Sequence, residues 1–330
     1  MEQNNKRTII FSIVSLLLLI SGLTLAVRLG SVHIGFTDIW NSIFHYEETL
    51  ELMLVRDVRI PRALCVLLTG GILGVTGSMI QGVTRNPIAE PSILGVSQGA
   101  TLVIAIFYAA GIAVNTTNVM IASLIGALFT GLIVLGFLSK RANNASIAKI
   151  LLAGTAMSTF FISLTTIIGL LSNQSQMIGF WVSGGFRNAT WAEFTLVFVV
   201  GTIGFILAIL LSPKINILNL GDDVAIGLGQ NPEKIRFMTL MVMIPMCAAA
   251  VAVGKNIVFL GLIVPQIVRR VVGEDYRENI PCSFLLGATL LTYADIGARM
   301  LFDPYEIPIG IFTAIIGVPF FISVARKERG

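Results

Sequence analysis

The feature that most constrains this chain is a succession of long apolar stretches separated by short polar connections. A helix needs about 20 apolar residues to cross the hydrocarbon core of a bilayer, and one stretch after another reaches that length. Only 12% of the 330 residues are charged, whereas soluble domains carry about 25%. The sequence therefore predicts an all-α, polytopic membrane protein.

We predict about ten transmembrane helices. The first follows Lys6 and Arg7, is longer than the apolar region of a secretory signal, and lacks a small-residue cleavage site, so we expect it to be retained. The predicted spans lie near 8–29, 62–83, 93–115, 118–138, 149–171, 190–212, 237–253, 257–270, 281–302 and 306–325.

Basic residues orient this predicted topology. With a cytoplasmic N-terminus, the 22 Lys and Arg residues divide into fifteen on the inner side and seven on the outer side. Cytoplasmic loops of membrane proteins are enriched in Lys and Arg, so we expect both termini in the cytoplasm. The whole chain, 1–330, is expected to form a single transmembrane domain. The outer seven are Arg28, Arg56, Arg59, Arg62, Arg187, Lys255 and Arg299.

Small residues mark helix-packing faces. Segment 70–77 and the pair Gly95 and Gly99 have spacings that let helix backbones approach closely. Segment 257–270 is short for a crossing and contains Gly261 and Pro265, which predicts a broken helix buried among others.

Neither a metal site nor a cofactor site is indicated. Cys65, Cys247 and Cys282 lie in or beside apolar segments without C-x-x-C spacing, which predicts buried, unreactive thiols. His33 and His45 lie in the outer segment 30–61, expected to form one or two short surface-lying helices, and two histidines make too few ligands for a metal.

The arginine cluster Arg56, Arg59 and Arg62 falls on the outer side, where the positive-inside tendency does not explain it. Two interpretations remain at this point. The cluster contacts a partner, or it binds lipid headgroups and pairs internally with Asp57.

The inner loop 213–236 carries a predicted short helix. Two aspartates lie at its start, where the helix dipole favours negative charge, and a glycine lies at its end, where helices commonly stop. Its apolar residues have no obvious core, so either other spans of this chain or another protein cover them. The residues of this segment are Gly221, Asp222, Asp223, Val224, Ala225, Leu228 and Gly229.

Transport is the natural class for ten glycine-rich spans, and transport against a gradient needs an energy source. Ion coupling usually requires ionisable residues within spans, and here Asp295 is the main candidate, although it could simply pair with Arg299. No G-x-x-x-x-G-K-[ST] motif occurs, so any ATPase is a separate chain. A membrane enzyme is disfavoured because no nucleophile and base pair stands out.

Ordered motifs along the whole chain resemble the FecCD-type permeases, the membrane subunits of ABC importers for iron-siderophore complexes, haem and cobalamin. The motifs are Arg59-Ile-Pro-Arg62, Gly77 with Gln81, Arg85-Asn-Pro-Ile-Ala-Glu-Pro-Ser-Ile-Leu-Gly95, Leu152-Ala-Gly154, Phe259-Leu-Gly-Leu-Ile-Val-Pro265, Gly273-Glu-Asp-Tyr-Arg277, Ala294-Asp295 with Arg299, Glu306-Ile-Pro-Ile-Gly310 and Gly317-Val-Pro319.

The resemblance implies a bacterial cytoplasmic-membrane permease without catalytic residues. Its expected partners are a second, identical or related permease subunit, a cytoplasmic ATPase dimer and an extracytoplasmic binding protein. The loop 213–236 would be the coupling loop received by the ATPase. Arg56, Arg59 and Arg299 would receive carboxylates of the binding protein, while Arg62 would be structural.

The resemblance makes an iron-siderophore the expected cargo, with cobalamin or haem as alternatives and an ion-coupled secondary transporter as the rival class. Two residues depart from the family pattern: Gln266 and Tyr276 each stand where many members carry histidine. Both are expected at the inner face, where they would adapt the contact with a particular ATPase.

Overall fold

The structure is a computed structural model that describes residues 2–30, 32, 34–112, 115–139, 147–302 and 305–327. These residues form helices and no strands, which confirms the all-α prediction. The α-helices are α1 (Glu2–Arg28), α2 (Phe36–Phe44), α3 (Leu50–Met53), α4 (Ile60–Thr84), α5 (Val96–Ala109), α6 (Thr116–Ser139), α7 (Ile147–Leu171), α8 (Ser175–Val182), α9 (Trp191–Asn219), α10 (Asp222–Gly227), α11 (Pro232–Gly254), α12 (Leu260–Val271), α13 (Tyr276–Met300) and α14 (Ile309–Lys327). A π-helical turn (Leu54–Arg59) leads directly into α4, and a 3-10 turn (Pro91–Leu94) precedes α5.

Seven helices of the described chain are long and apolar enough to cross a membrane. They correspond to seven of the ten predicted spans. The other three predicted spans, 93–115, 257–270 and 306–325, overlap the shorter helices α5, α12 and α14. The number of crossings and the side on which each terminus lies remain predictions.

Helix α4 lies at the centre of the fold and is buried along most of its length. It packs against α13, α9, α11 and α12. A Cβ atom at Gly70 would overlap the carbonyl of Gly287 on α13, and one at Gly77 would overlap the carbonyl of Gly261 on α12. Only glycine therefore allows these backbones to approach so closely, which confirms the predicted packing face.

The short helix α12 is enclosed by other helices, as its composition predicted. Its residues from Leu260 to Gln266 are all buried. Phe259 begins the helix in the left-handed region, with φ +67°, and its amide donates to the Glu90 carboxylate at 2.5 Å. Burial raises the pKa of Glu90, while this hydrogen bond opposes the rise.

The three cysteines are free thiols within the packed helices. Cys65, Cys247 and Cys282 are all buried, as predicted. Cys65 and Cys247 lie on spans that pack against each other, α4 and α11. The thiols therefore act as small apolar core residues.

Candidate functional site

Arg56 lies on the π-helical turn that joins α3 to α4. Its side chain is exposed, and its guanidinium lies 4.4 Å from the centre of the Tyr46 ring. Next to it, Val55 is completely buried and holds the turn against the fold. Arg56 is therefore a positioned cation at the surface, available to a partner.

Arg59 occupies a different environment, because its side chain is buried and bonded within the chain. Its guanidinium donates to the carbonyls of Val27 at 2.9 Å, Arg28 at 2.8 Å and Val32 at 2.6 Å. These carbonyls lie at or just beyond the end of α1, where helices leave acceptors unsatisfied. Arg59 thus caps α1, and it lies so close to Gly30 that a Cβ atom there would be 2.8 Å from the guanidinium.

Arg62 forms the centre of a buried ion network. Its guanidinium contacts Asp295 on α13 at 2.8 Å and Glu306 at 2.8 Å, just before α14. The Asp295 side chain is only 1% exposed. Arg62 therefore joins three segments distant in sequence, which agrees with the structural role expected for it.

Arg299 and Arg187 complete this network. The Nε atom of Arg299 lies 3.2 Å from a carboxylate oxygen of Asp295, which is an ion contact but not a hydrogen bond. A terminal nitrogen of the same guanidinium donates to the Ala26 carbonyl at 3.0 Å. Its side chain is 9% exposed. Arg187 is half exposed and contacts Glu306 at 3.3 Å. The three arginines exceed the two carboxylates by one positive charge.

The structure thus gives the three arginines of the predicted docking surface different positions. Arg56 is exposed, whereas Arg59 and Arg299 are mostly buried and bonded to the end of α1. Asp295 pairs with Arg299, one of the two alternatives left open by the sequence. The Asp295 carboxylate thus lies between the guanidinium groups of Arg62 and Arg299.

A chamber of about 710 Å³ opens beside this network. Its lining includes Arg62, Arg187, Lys255 and Glu306, together with aromatic residues of α8. Burial works to raise the pKa of Glu306, but the hydrogen bond and charge of Arg62 outweigh it, and the net pKa is lowered. Burial lowers the pKa of Lys255, against the attraction of Glu193.

At the opposite end of α4, about 37 Å away by helix length, Asp222 fixes the start of α10. Its carboxylate accepts hydrogen bonds from Arg236 at 2.7 and 2.9 Å and from Arg85 at 3.0 Å. Arg85 ends α4 in the left-handed region, with φ +50°, and Arg236 lies on α11. One aspartate therefore ties the short helix to two membrane helices.

The rest of α10 presents an apolar surface that the chain itself does not cover. Ala225 is buried, whereas Val224 is 45% exposed and Leu228 is 58% exposed. Asp223 is exposed as well, and Gly221 and Gly229 flank the helix with positive φ. Of the two alternatives for this segment, cover by the chain's own spans does not occur within the described residues.

Gln266 and Tyr276 are both buried. The Gln266 amide donates to the side chain of Gln81 at 3.0 Å and to the carbonyl of Pro87 at 2.9 Å. The Tyr276 hydroxyl accepts a hydrogen bond from Arg269 at 2.8 Å. Neither side chain reaches the surface, so any adaptation of an ATPase contact by these residues would act through their buried neighbours and stays a prediction.

A stripe of hydroxyl side chains runs along α7, a helix that is mostly exposed in the isolated chain. Thr155, Thr159, Ser163 and Thr166 follow each other at intervals of one helical turn and are all exposed. Each hydroxyl donates to a backbone carbonyl about one turn earlier and keeps its lone pairs free to accept. We define these four residues as the hydroxyl stripe.

The hydroxyl stripe borders a second cavity of about 510 Å³ between α5, α7 and α8. Thr166 belongs to both. Within the cavity lining, Gln98 Oε1 and Thr165 Oγ1 are buried and have no hydrogen-bond partner among the described residues. Buried polar atoms without partners are costly, so this cavity suits water or a polar ligand better than lipid.

Sequence reasoning found the Asp295–Arg299 spacing but not the wider network. Arg62, Arg187 and Glu306 are separated by long stretches of chain, so no local pattern links them. The hydroxyl stripe has a detectable sequence signal, because its members recur at helical spacing within an otherwise apolar span. His33 lies outside the described residues.

Comparison with known proteins identifies relatives over nearly the whole chain. The family model of the FecCD transport family matches residues 16–327. The iron(3+)-hydroxamate import system permease protein FhuB of Bacillus subtilis (strain 168) is 38% identical over 97% of this chain and 84% of its own length. The Fe(3+)-citrate import system permease protein YfmD of the same organism is 36% identical over 99% of this chain and 97% of its own.

A solved structure shares the fold as well. An inward-facing conformation of a metal-chelate type ABC transporter superposes with a TM-score of 0.84 at 27% sequence identity, covering 96% of this chain and 98% of that one. The helical architecture, the sequence relatives and the family model agree over almost all of the chain. This chain therefore belongs to the FecCD transport family.

Proposed function

We propose that this chain is the membrane permease subunit of an ABC importer that moves an iron-siderophore complex delivered by an extracytoplasmic binding protein. The observation that carries the proposal is the full-length similarity to import permeases for iron(3+)-hydroxamate and Fe(3+)-citrate. The chain would lie in the bacterial cytoplasmic membrane with ten crossings, and both termini and α10 would face the cytoplasm.

Segment 213–236 would couple the chain to a separate ATPase. The uncovered residues Val224 and Leu228 support this role, because exposed apolar side chains on a short polar-anchored helix suit a groove in a partner. The bonds from Asp222 to Arg85 and Arg236 would transmit a displacement of α10 to α4 and α11. Gly221, Asp223, Ala225 and Gly229 would set the shape of the segment.

Arg56, Arg59 and Arg299 would serve the docking of the binding protein in two ways. Arg56, exposed and steadied by Tyr46, would contact a carboxylate of that protein directly. Arg59 and Arg299 would hold the end of α1 and the surface around Arg56 in position. This division rests on their burial, and it assigns the charge-dependent association rate mainly to Arg56.

The cargo pathway would run along the hydroxyl stripe of α7, between this subunit and a second permease chain. Exposed hydroxyls and the unpartnered Gln98 Oε1 and Thr165 Oγ1 favour a hydrated surface over lipid. Rigid-body motion of the helices would open this pathway to each side in turn.

Reconstitution tests the proposal. The permease, its ATPase and its binding protein would be placed in vesicles, and uptake of ferric hydroxamate, ferric citrate, haem and cobalamin would be compared. We expect ATP-dependent uptake of a ferric chelate that persists with an uncoupler. Uptake that an uncoupler abolishes and that needs no ATPase would establish the secondary-transporter alternative instead.

Contact between α10 and the ATPase can be tested with a matched control variant on the same short helix. Val224→Asp with Leu228→Asp should abolish co-purification of the ATPase, because both residues lie on one face. Ile226 is 60% exposed on the opposite face, so Ile226→Asp should leave co-purification intact. Equal recovery of ATPase with both variants would contradict this assignment of α10.

A further inference from the structure

Helix α2 has its apolar side turned away from the protein. Phe36, Trp40, Ile43 and Phe44 are between 58% and 63% exposed. At 100° per residue these four side chains fall within one third of the helix circumference. The side that faces the protein carries the buried hydroxyl of Ser42 instead. This arrangement is the reverse of an amphipathic helix that packs on a soluble core.

The position of α2 relative to α1 indicates what covers this apolar face. Helix α1 exposes apolar side chains along its length, among them Leu17 and Ile20, as a lipid-facing span does. It ends at Arg28, whose guanidinium lies 4.8 Å from the centre of the Phe36 ring. An arginine at the end of a span lies at headgroup level, and so does the ring that it covers.

We propose that α2 lies in the plane of the membrane and inserts Phe36, Trp40, Ile43 and Phe44 into the lipid headgroup and acyl boundary. This apolar face continues the lipid-facing surface of α1. Trp40 and Phe44, with ring centres 4.4 Å apart, form one aromatic wedge of the kind enriched at membrane interfaces. Such helices bury their apolar face about 5–10 Å into the boundary between headgroups and acyl chains.

The polar residues of α2 fit this orientation. Thr37 and Asn41 lie beside the apolar face and are exposed. Asp38 lies partly buried near the helix start, where its carboxylate accepts a hydrogen bond from the Gly35 amide at 2.8 Å. The apolar face itself carries no charge, so it lacks the complementary ions that steer a transient soluble partner.

Anchoring α2 would also fix the height of Arg56 above the membrane. Helix α2 packs against α3 and against the π-helical turn that carries Arg56. Tyr46, just beyond the end of α2, lies under the Arg56 guanidinium. The lipid-inserted helix would thus hold the π-helical turn and Arg56 at a fixed distance from the membrane. This role does not depend on which cargo the protein carries.

Trp40 fluorescence tests the insertion directly. Trp181→Phe with Trp191→Phe leaves Trp40 as the single tryptophan of the full chain, reconstituted in phosphatidylcholine vesicles. Lipids brominated near the headgroup should remove most of the Trp40 emission, and aqueous acrylamide should have little effect. Strong quenching by acrylamide with no effect of brominated lipid would overturn the proposal.

Other occupants of the apolar face give distinct results. Protection from acrylamide that appears only when a purified binding protein is added would assign the face to that protein. Protection that grows with the density of the permease in the vesicle, without lipid quenching, would assign it to a second copy of this chain. Either result would overturn lipid insertion.

A second pair of variants avoids replacing Trp181, which is buried. Ile43→Cys and Asn41→Cys, each labelled with a nitroxide, place probes on the apolar face and beside it. Collisions with oxygen should exceed collisions with a water-soluble nickel chelate at position 43, and the order should reverse at position 41. Greater nickel access at both positions would show that α2 lies in water.

Discussion

Replacement of Asp295 by asparagine should strongly destabilise the folded protein. The carboxylate is 1% exposed and lies between Arg62 and Arg299, whose side chains are each 9% exposed. Asparagine fills the same space and keeps one acceptor oxygen, but it leaves two buried guanidinium groups with less opposing charge. Breaking a buried ion pair in this way costs about 3–5 kcal/mol of unfolding free energy.

The cost should differ among the acidic residues according to their burial. Glu306→Gln should cost about 1.5–3 kcal/mol, the range for hydrogen bonds to charged groups, because Glu306 is 29% exposed. Asp57→Asn changes an exposed carboxylate and should stay within about 0.5 kcal/mol. The expected order of loss is therefore Asp295, then Glu306, then Asp57.

Reversible unfolding in mixed micelles with increasing sodium dodecyl sulfate measures these differences. A double variant, Asp295→Asn with Arg299→Gln, should lose less unfolding free energy than the sum of its single variants. The second substitution removes one of the two guanidinium charges that Asp295→Asn leaves without a carboxylate partner. A loss below about 0.5 kcal/mol for Asp295→Asn would show that the buried ion network contributes little to stability.

Transport by the same variant separates structure from ion coupling. If Asp295 only holds the fold, ATP-driven uptake per folded molecule should survive in Asp295→Asn. A variant of unchanged stability and abolished uptake would instead make Asp295 part of the transport chemistry.

Three further predictions concern the outer face and the packing of α4. Arg56→Glu should slow association with the binding protein at low salt and leave the free energy of unfolding unchanged. Arg59→Gln should lower the free energy of unfolding, because it removes the cap at the end of α1. Stopped-flow binding measures the first effect and unfolding in mixed micelles measures the second. Gly77→Ala should destabilise by about 1–3 kcal/mol, because its methyl group meets a backbone carbonyl, while Gly179→Ala has open space and serves as the control. The lowered pKa of Glu306 implies that its carboxylate stabilises the folded protein. This contribution is complete above the ordinary glutamate pKa of about 4.3 and is lost as the pH falls through the lower pKa of the folded state. Unfolding measured between neutral and acidic pH should lack this pH-dependent contribution in Glu306→Gln.

The sequence was most informative where physical constraints are local. Length and hydropathy along the chain predicted membrane helices because a bilayer sets a minimum apolar length. Glycine spacing predicted the packing face of α4, and the aspartates with Gly229 predicted the short helix α10. Each of these signals depends on residues within a few turns of one another.

The lengths of the shorter helices were less predictable. The segment predicted as a span over 93–115 contains α5, which runs only from Val96 to Ala109. Beyond its end, Ala110, Gly111 and Ile112 are apolar but exposed, so hydropathy alone does not mark where the helix stops. Helix α12 is likewise short, with twelve residues, but most of it is buried by its neighbours.

The class of the protein, its helical segments and its family motifs can be predicted from the chain alone, since all of these depend on local composition and order. The surroundings of Arg56, Arg59 and Arg62 emerge only from the folded helices. Arg56 stays exposed, Arg59 caps α1, and Arg62 meets Asp295 and Glu306. Arg56 and Arg59 look equivalent along the chain, yet only Arg59 reaches the carbonyls at the end of α1, 31 residues earlier at Arg28. Arg62 meets carboxylates 233 and 244 residues further along the chain, so its partners depend on how the later helices fold back.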